Sequence, residues 1–154
     1  MSQAMPPETE QGYAAPTVRQ FSVFLDNKVG KLLELVRLFD ETPSVHLVSL
    51  SVVESSDFAV IRIIPNRSNA ARELLRRNSL PFSEIDLLIV ELGAGQSLAS
   101  MCLHLLAAEL NIRFAYPLMC GPGGTPTIAL AVDDQVLAGQ ILLRKRFRLL
   151  GEAD

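Results

Sequence analysis

The chain has 154 residues, 49% hydrophobic and 20% charged, with a formal net charge of −3. A slight acidic excess argues against a general nucleic-acid binder and against a membrane-surface protein. Asp, Glu, Arg or His interrupts every apolar run before it could span a bilayer, and the two cysteines, Cys102 and Cys120, have neither metal spacing nor the density of a secreted scaffold.

Residues 1–17 (MSQAMPPETEQGYAAPT) are rich in Pro, Glu and Gln and lack an apolar core. The segment reads as a disordered tail without a secretory signal, and the expected location is cytoplasmic. From Val18 to Leu25 the residues alternate, with Phe21, Val23 and Leu25 on one face and Gln20, Ser22 and Phe24 on the other, which predicts a strand. Asp26 and Asn27 are candidate caps, and Gly30 permits a tight entry into a helix. Leu32, Leu35, Val36 and Phe39 then recur with helical spacing, and the helix stops near Pro43. Val45–Glu54 and Phe58–Ile64 read as a hairpin around Ser55-Ser56-Asp57, Ser68–Asn78 as a second amphipathic helix, and Phe82–Leu92 as a long strand.

The order then repeats. Leu87–Leu92 reads as a strand, Ser97–Leu110 as a helix and Ile112–Met119 as a strand. A Gly-Pro-Gly-Gly turn leads to the strand Thr127–Val132, Asp133 or Asp134 caps a helix to about Arg144, and Phe147–Leu150 closes. Placing Leu98 on Leu32 gives an offset of about 66 residues, which also sets Leu87 on Phe21 and Leu105 on Phe39. The predicted fold is α+β: two ferredoxin-like βαββαβ units, 18–86 and 87–154, each an antiparallel sheet with helices on one face, meeting at Phe82–Leu92.

Leu25-Asp26-Asn27-Lys28-Val29-Gly30-Lys31-Leu32 comes after a β-run and opens a Leu-rich helix. With the Val45-His46-Leu47 strand start and the closing Phe147-Arg148-Leu149-Leu150, it resembles the ACT family of regulatory amino-acid-binding modules, most closely the stand-alone tandem ACT proteins. The resemblance implies an amino acid bound where the first loop of one repeat faces strand two of its partner repeat. The residue chemistry agrees: N–H groups around Val29, Gly30 and Lys31 at a helix start suit an α-carboxylate. Asp26 or Asn27 suits an α-ammonium, with Lys28 in the same loop. Phe114 and Tyr116, alternating on their strand, are candidates for the facing wall. In the second copy the offset places Gln96 at the position of Gly30. Gly93, Gly95, Gln96 and Ser97 therefore form a weaker, degenerate loop.

Other signals read as structural. His46 and His104 have no triad or metal partners at useful spacing, and Cys102 reads as a core residue on an apolar helix. Gly121–Gly124 lacks the Lys-Ser/Thr of a phosphate loop and reads as a hairpin connection. No general acid–base pair, metal constellation or cofactor motif is present, so the expectation is a non-enzymatic allosteric module of amino-acid metabolism without a cofactor. The nearly all-apolar Ser97–Leu110 helix predicts a homodimer surface. The rival reading is a regulatory subunit of a biosynthetic enzyme such as acetolactate (acetohydroxyacid) synthase, whose small subunit Phe21–Leu32 also resembles.

Overall fold

A computed structural model of the chain describes residues 8–9, 12–26, 28–119 and 122–152. The elements are β1 (Glu8–Thr9), β2 (Gly12–Tyr13), β3 (Val18–Asp26), α1 (Lys31–Asp40), β4 (Leu47–Glu54), β5 (Phe58–Pro65), α2 (Ser68–Arg77) and β6 (Phe82–Glu91). They continue as α3 (Leu98–Ala107), β7 (Ile112–Pro117), β8 (Thr127–Val132), α4 (Gln135–Arg144) and β9 (Arg148–Leu150). The chain divides into two compact units, Arg19–Ile85 and Asp86 onward, the latter joined by the segment up to Val18. Each unit runs β-α-β-β-α-β, so the fold is α+β with two ferredoxin-like units, and β6 contributes its start to one and its end to the other.

The expected tail is partly structured. Residues 1–7, 10 and 11 lie outside the described residues, but Glu8–Thr9 and Gly12–Tyr13 pair antiparallel. Pro16 is buried, and Ala15 packs on the core of the second unit. A two-residue ladder is held by backbone bonds, which leave little trace in composition. Ala15 has a specific seat, because a Cβ added to Gly139 on α4 would stand 2.5 Å from the Ala15 Cβ.

In the first unit the strand order is β4-β5-β3, with β6 beside β3. β5 pairs antiparallel with both β3 and β4, with Phe21 opposite Ile63 and Leu25 opposite Ala59. The alternation of β3 puts Phe21, Val23 and Leu25 on the face covered by α1 and α2, where they meet Leu35, Phe39, Ala71, Leu74 and Leu75. Polar residues tie the start of β6 to this unit. Glu84 accepts from Arg72 Nε at 3.0 Å, Arg72 Nη2 at 2.6 Å and Arg19 Nη1 at 3.0 Å.

In the second unit β6 lies between β8 and β9, and β7 flanks β8. Leu88 and Val90 face α3 and α4, against Met101, Leu105, Ala138 and Leu142. Leu87 and Ile89, on the other face, are equally buried, as are Ala129 and Ala131 of β8.

This pattern corrects the repeat register. Phe21, Val23 and Leu25 face the helices of their unit, and their equivalents are Leu88, Val90 and Leu92, 67 positions on. Leu87, expected to be the equivalent of Phe21, lies on the other face of the sheet, because a one-residue slip in a strand reverses every side chain. In the helix after it the offset returns to 66: Leu35 and Phe39 correspond to Met101 and Leu105, all four buried. The helix expectation for Leu105 therefore stands, and the shift arises between strand and helix.

Candidate functional site

The first loop leaves β3 at Asp26 and enters α1 through Gly30, which occupies the left-handed region at φ 91°. This is a conformation that glycine adopts without the Cβ penalty. The Lys28 N–H donates to Asp26 O at 2.8 Å and the Lys31 N–H to Lys28 O at 3.3 Å, folding the loop tightly. No side chain caps α1. The capping expected of Asp26 is absent, since Gly30 itself stands at the cap position; Asn27 lies outside the described residues. Asp26, Lys28, Val29 and Gly30 are exposed, and Lys31 pairs with Glu34 at 3.4 Å.

Two depressions flank this loop. One of about 450 Å³ is lined by Phe24, Asp26, Lys31, Glu34, Leu38 and Asn78, among others. A smaller one of about 200 Å³ lies by Asp26, Lys28, Leu32, Val52, Glu54 and neighbouring residues. Asp26 and Lys31 line both, so opposite charges stand at the mouth of an uncapped helix N-terminus. This arrangement offers an anion site from the backbone and a cation partner from Asp26.

The second loop differs in a way that spacing did not reveal. Measured from the strand, the equivalent of Gly30 is Ser97, which is the N-cap of α3. The Ser100 N–H donates to Ser97 Oγ, and the Ser97 N–H donates to Ser100 Oγ, both at 3.1 Å. The helix end is thus filled by its own side chains. Gln96, expected at the glycine position, instead locks the loop: its Oε1 accepts from Gly93 N–H at 2.8 Å and its Nε2 donates to Arg146 O at 3.0 Å. Gly95 takes φ 76°. The loop is a rigid, self-satisfied turn, and Gly93, Ala94 and Gln96 line a cleft of about 590 Å³ opposite Gly123–Pro126.

Phe114 and Tyr116 stack with ring centroids 6.2 Å apart at 5°. A bulge between Ile112 and Phe114 places them opposite Ala131 and Ala129, whose small side chains leave room for the rings on the sheet face away from the helices. Both rings belong to the second unit, whereas Asp26–Lys31 belong to the first.

The remaining signals divide. His46 is exposed at its strand start. His104 is half-buried, edge-on to Phe147 at 6.1 Å. Cys102, expected in the core, is exposed. The phase set by the Ser97 cap buries Met101 and Leu105 and turns Leu98, Cys102 and Leu106 outward. Cys120 lies outside the described residues. Among the described residues no group of three or more His, Cys, Asp or Glu gathers to hold a metal, and no helix is long and apolar enough to cross a membrane.

A family model described as an ACT domain pair matches residues 16–154. The chain belongs to this family. Among solved structures, this ACT pair is similar to protein BT0572 from Bacteroides thetaiotaomicron, at 23% identity and a TM-score of 0.77, covering 90% of this chain and 94% of that one. It is also similar to the ligand-free regulatory subunit of aspartate kinase from Thermus thermophilus. That match has 10% identity and a TM-score of 0.52, covering 84% and 92% of the two chains. At such low identities the likeness is one of fold alone. A search among curated proteins returns no significant match. The ACT assignment fits the duplicated strand–loop–helix, whose first copy is open and whose second is closed.

Proposed function

We propose that this ACT pair is a non-enzymatic regulatory module that binds a small amino acid at the first loop, with Asp26, Asn27, Lys28, Val29, Gly30 and Lys31 as the contact set. The observation that carries this reading is the contrast between the two helix starts. α1 has an αL glycine and no side-chain cap, whereas Ser97 and Ser100 occupy the start of α3. An α-carboxylate would take the role at α1 that the serine hydroxyls take at α3, with Asp26 receiving the ammonium. Phe114 and Tyr116 are offered as the wall of a facing repeat in a second chain. Since both halves are ACT units, a stand-alone pair is preferred over the acetolactate synthase subunit.

The test is a thermal-shift and ¹⁵N-amide titration with the common amino acids. A ligand at 100 times its Kd stabilises by about 2.7 kcal/mol, and the amides of Lys28–Leu33 would move. Gly30→Ala has open space around the new Cβ but strains an αL position by about 1–2 kcal/mol, so it would fold and bind more weakly. A flat response to every amino acid would end the proposal.

The same reading includes self-association in a cytoplasmic setting. α3 exposes Leu98, Leu103 and Leu106 at 51%, 62% and 69%, with Cys102 among them and no Asp, Glu, Lys or Arg from Leu98 to Ala107. Pairing of two such uncharged faces would remove apolar area that water otherwise meets. In sedimentation equilibrium the wild type is expected to be a dimer, and Leu103→Glu with Leu106→Glu a monomer with unchanged circular dichroism. A monomeric wild type would refute this pairing.

A further inference from the structure

Helix α4 carries a glycine that its own backbone does not require. Gly139 is interior to the helix and buried, and its φ lies outside the positive region that favours glycine. At such a position alanine supports a helix better, because glycine surrenders more conformational freedom on folding. The reason for the glycine lies across the helix face. A Cβ on Gly139 would stand 2.5 Å from the Ala15 Cβ, closer than real Cβ contacts come, whereas Leu88 Cδ2 at 3.6 Å would accept it. The second unit's core therefore has room for a methyl group at Gly139, and Ala15 alone excludes one.

Ala15 belongs to the segment between β2 and β3. Ala14, Ala15 and Thr17 are half-buried and Pro16 is buried, and Val18, where β3 begins, is 2% exposed. The chain up to Val18 goes with the second unit, although the next residue opens the first. Pro16 has a fixed φ and biases Ala15 towards an extended backbone, so the segment has little conformational freedom to lose on docking. Ahead of it the β1–β2 ladder pairs only Glu8 with Tyr13 and Thr9 with Gly12, too little to be stable by itself. Ala15 also precedes residue 16, where the match to the ACT pair begins. The strap is thus an element added to the ACT pair, and the second unit carries a notch for it.

We propose that residues 14–17 form a latch that closes over α4 of the second unit, with Gly139 as the notch that receives the Ala15 methyl. Docked, the latch covers α4 around Gly139 and Leu88. Released, it bares apolar surface there without unfolding the helix, which makes the strap a conformational switch of the second unit. The inference rests on no ligand at either loop.

The test is a reciprocal swap in the full chain. Gly139→Ala is expected to undock the strap. Proteinase K, followed by mass spectrometry, should then cut between residues 13 and 18 at least about tenfold faster than in the wild type, with circular dichroism unchanged. Adding Ala15→Gly removes the clashing methyl and leaves the new Cβ 3.8 Å from the residue 15 Cα, an ordinary contact. The double variant is therefore expected to be cut at the wild-type rate. The urea midpoint gives a second reading. Gly139→Ala should lower it when residue 15 is alanine and raise it when residue 15 is glycine, because helix propensity alone then remains. A wild type cut freely in the strap, a Gly139→Ala variant as resistant as the wild type, or a double variant cut as fast as Gly139→Ala would each overturn the latch. If Gly139→Ala does not fold, a folded and resistant double variant supports the latch equally, and a double variant that also fails to fold overturns it.

Discussion

Phe21→Ala is expected to cost about 3–5 kcal/mol, as truncation of a fully buried aromatic does. Phe21 is 0% exposed and sits at the centre of the first unit's core, its ring 5.6 Å from that of Phe82 at 60°. The Arg72 guanidinium carbon stands 5.9 Å from the ring centre. The edge-on pair adds to the loss of apolar burial, and the cation loses a partner as well. Since a domain's whole stability is about 5–15 kcal/mol, the variant would unfold at markedly lower urea concentration with the same m-value. Phe24 on the same strand is 40% exposed, so Phe24→Ala is the control and is expected to cost under about 1 kcal/mol. Equal losses from the two would mean that β3 does not present Phe21 to the core.

That pair of outcomes also shows what was legible in the sequence. Strand β3 declared its faces by strict alternation, and α2 declared its own through Ala71, Leu74 and Leu75 against the arginines. The duplication was visible because Phe39 and Leu105 occupy the same buried position. The register of β6 was not, because Leu87, Leu88, Ile89 and Val90 are all apolar and all buried; a continuous run carries no period-two signal to choose between 66 and 67. Cys102 was misplaced for the same reason, since α3 is apolar around its circumference and only the serine cap sets which residues face inward.

At the first loop the backbone was readable, because Gly30 ahead of the helix marks a residue free to take the positive φ that it adopts. At the second, Gln96 and Ser97 looked like degeneration, yet both are engaged in closing the turn.

Glu84 offers the clearest pH dependence in the molecule. Its carboxylate holds Arg72 through two contacts, at 3.0 and 2.6 Å, and Arg19 through a third, at 3.0 Å. The hydrogen bonding from Arg72 lowers its pKa below the ordinary 4.5, against the opposing effect of burial and with further help from Arg19. A group whose folded pKa is depressed stabilises the fold fully above its unfolded value. It loses that contribution as pH falls through the folded one, because the unfolded state takes up its proton first. Glu84→Gln is therefore expected to be about 1.5–3 kcal/mol less stable than the wild type at pH 7, the range for hydrogen bonds to charged groups. That gap should be constant down to about pH 4.5 and then close as the wild type alone loses stability. Urea midpoints measured for both proteins from about pH 7 to about pH 2.5 span that window and decide it. A gap that persists unchanged in acid would assign the effect to packing rather than charge. Because Arg72 bridges Glu84 and the Phe21 ring, Phe21→Ala and Glu84→Gln should not be additive. The double variant should lose less than the sum of the two, since either change alone already loosens the same guanidinium.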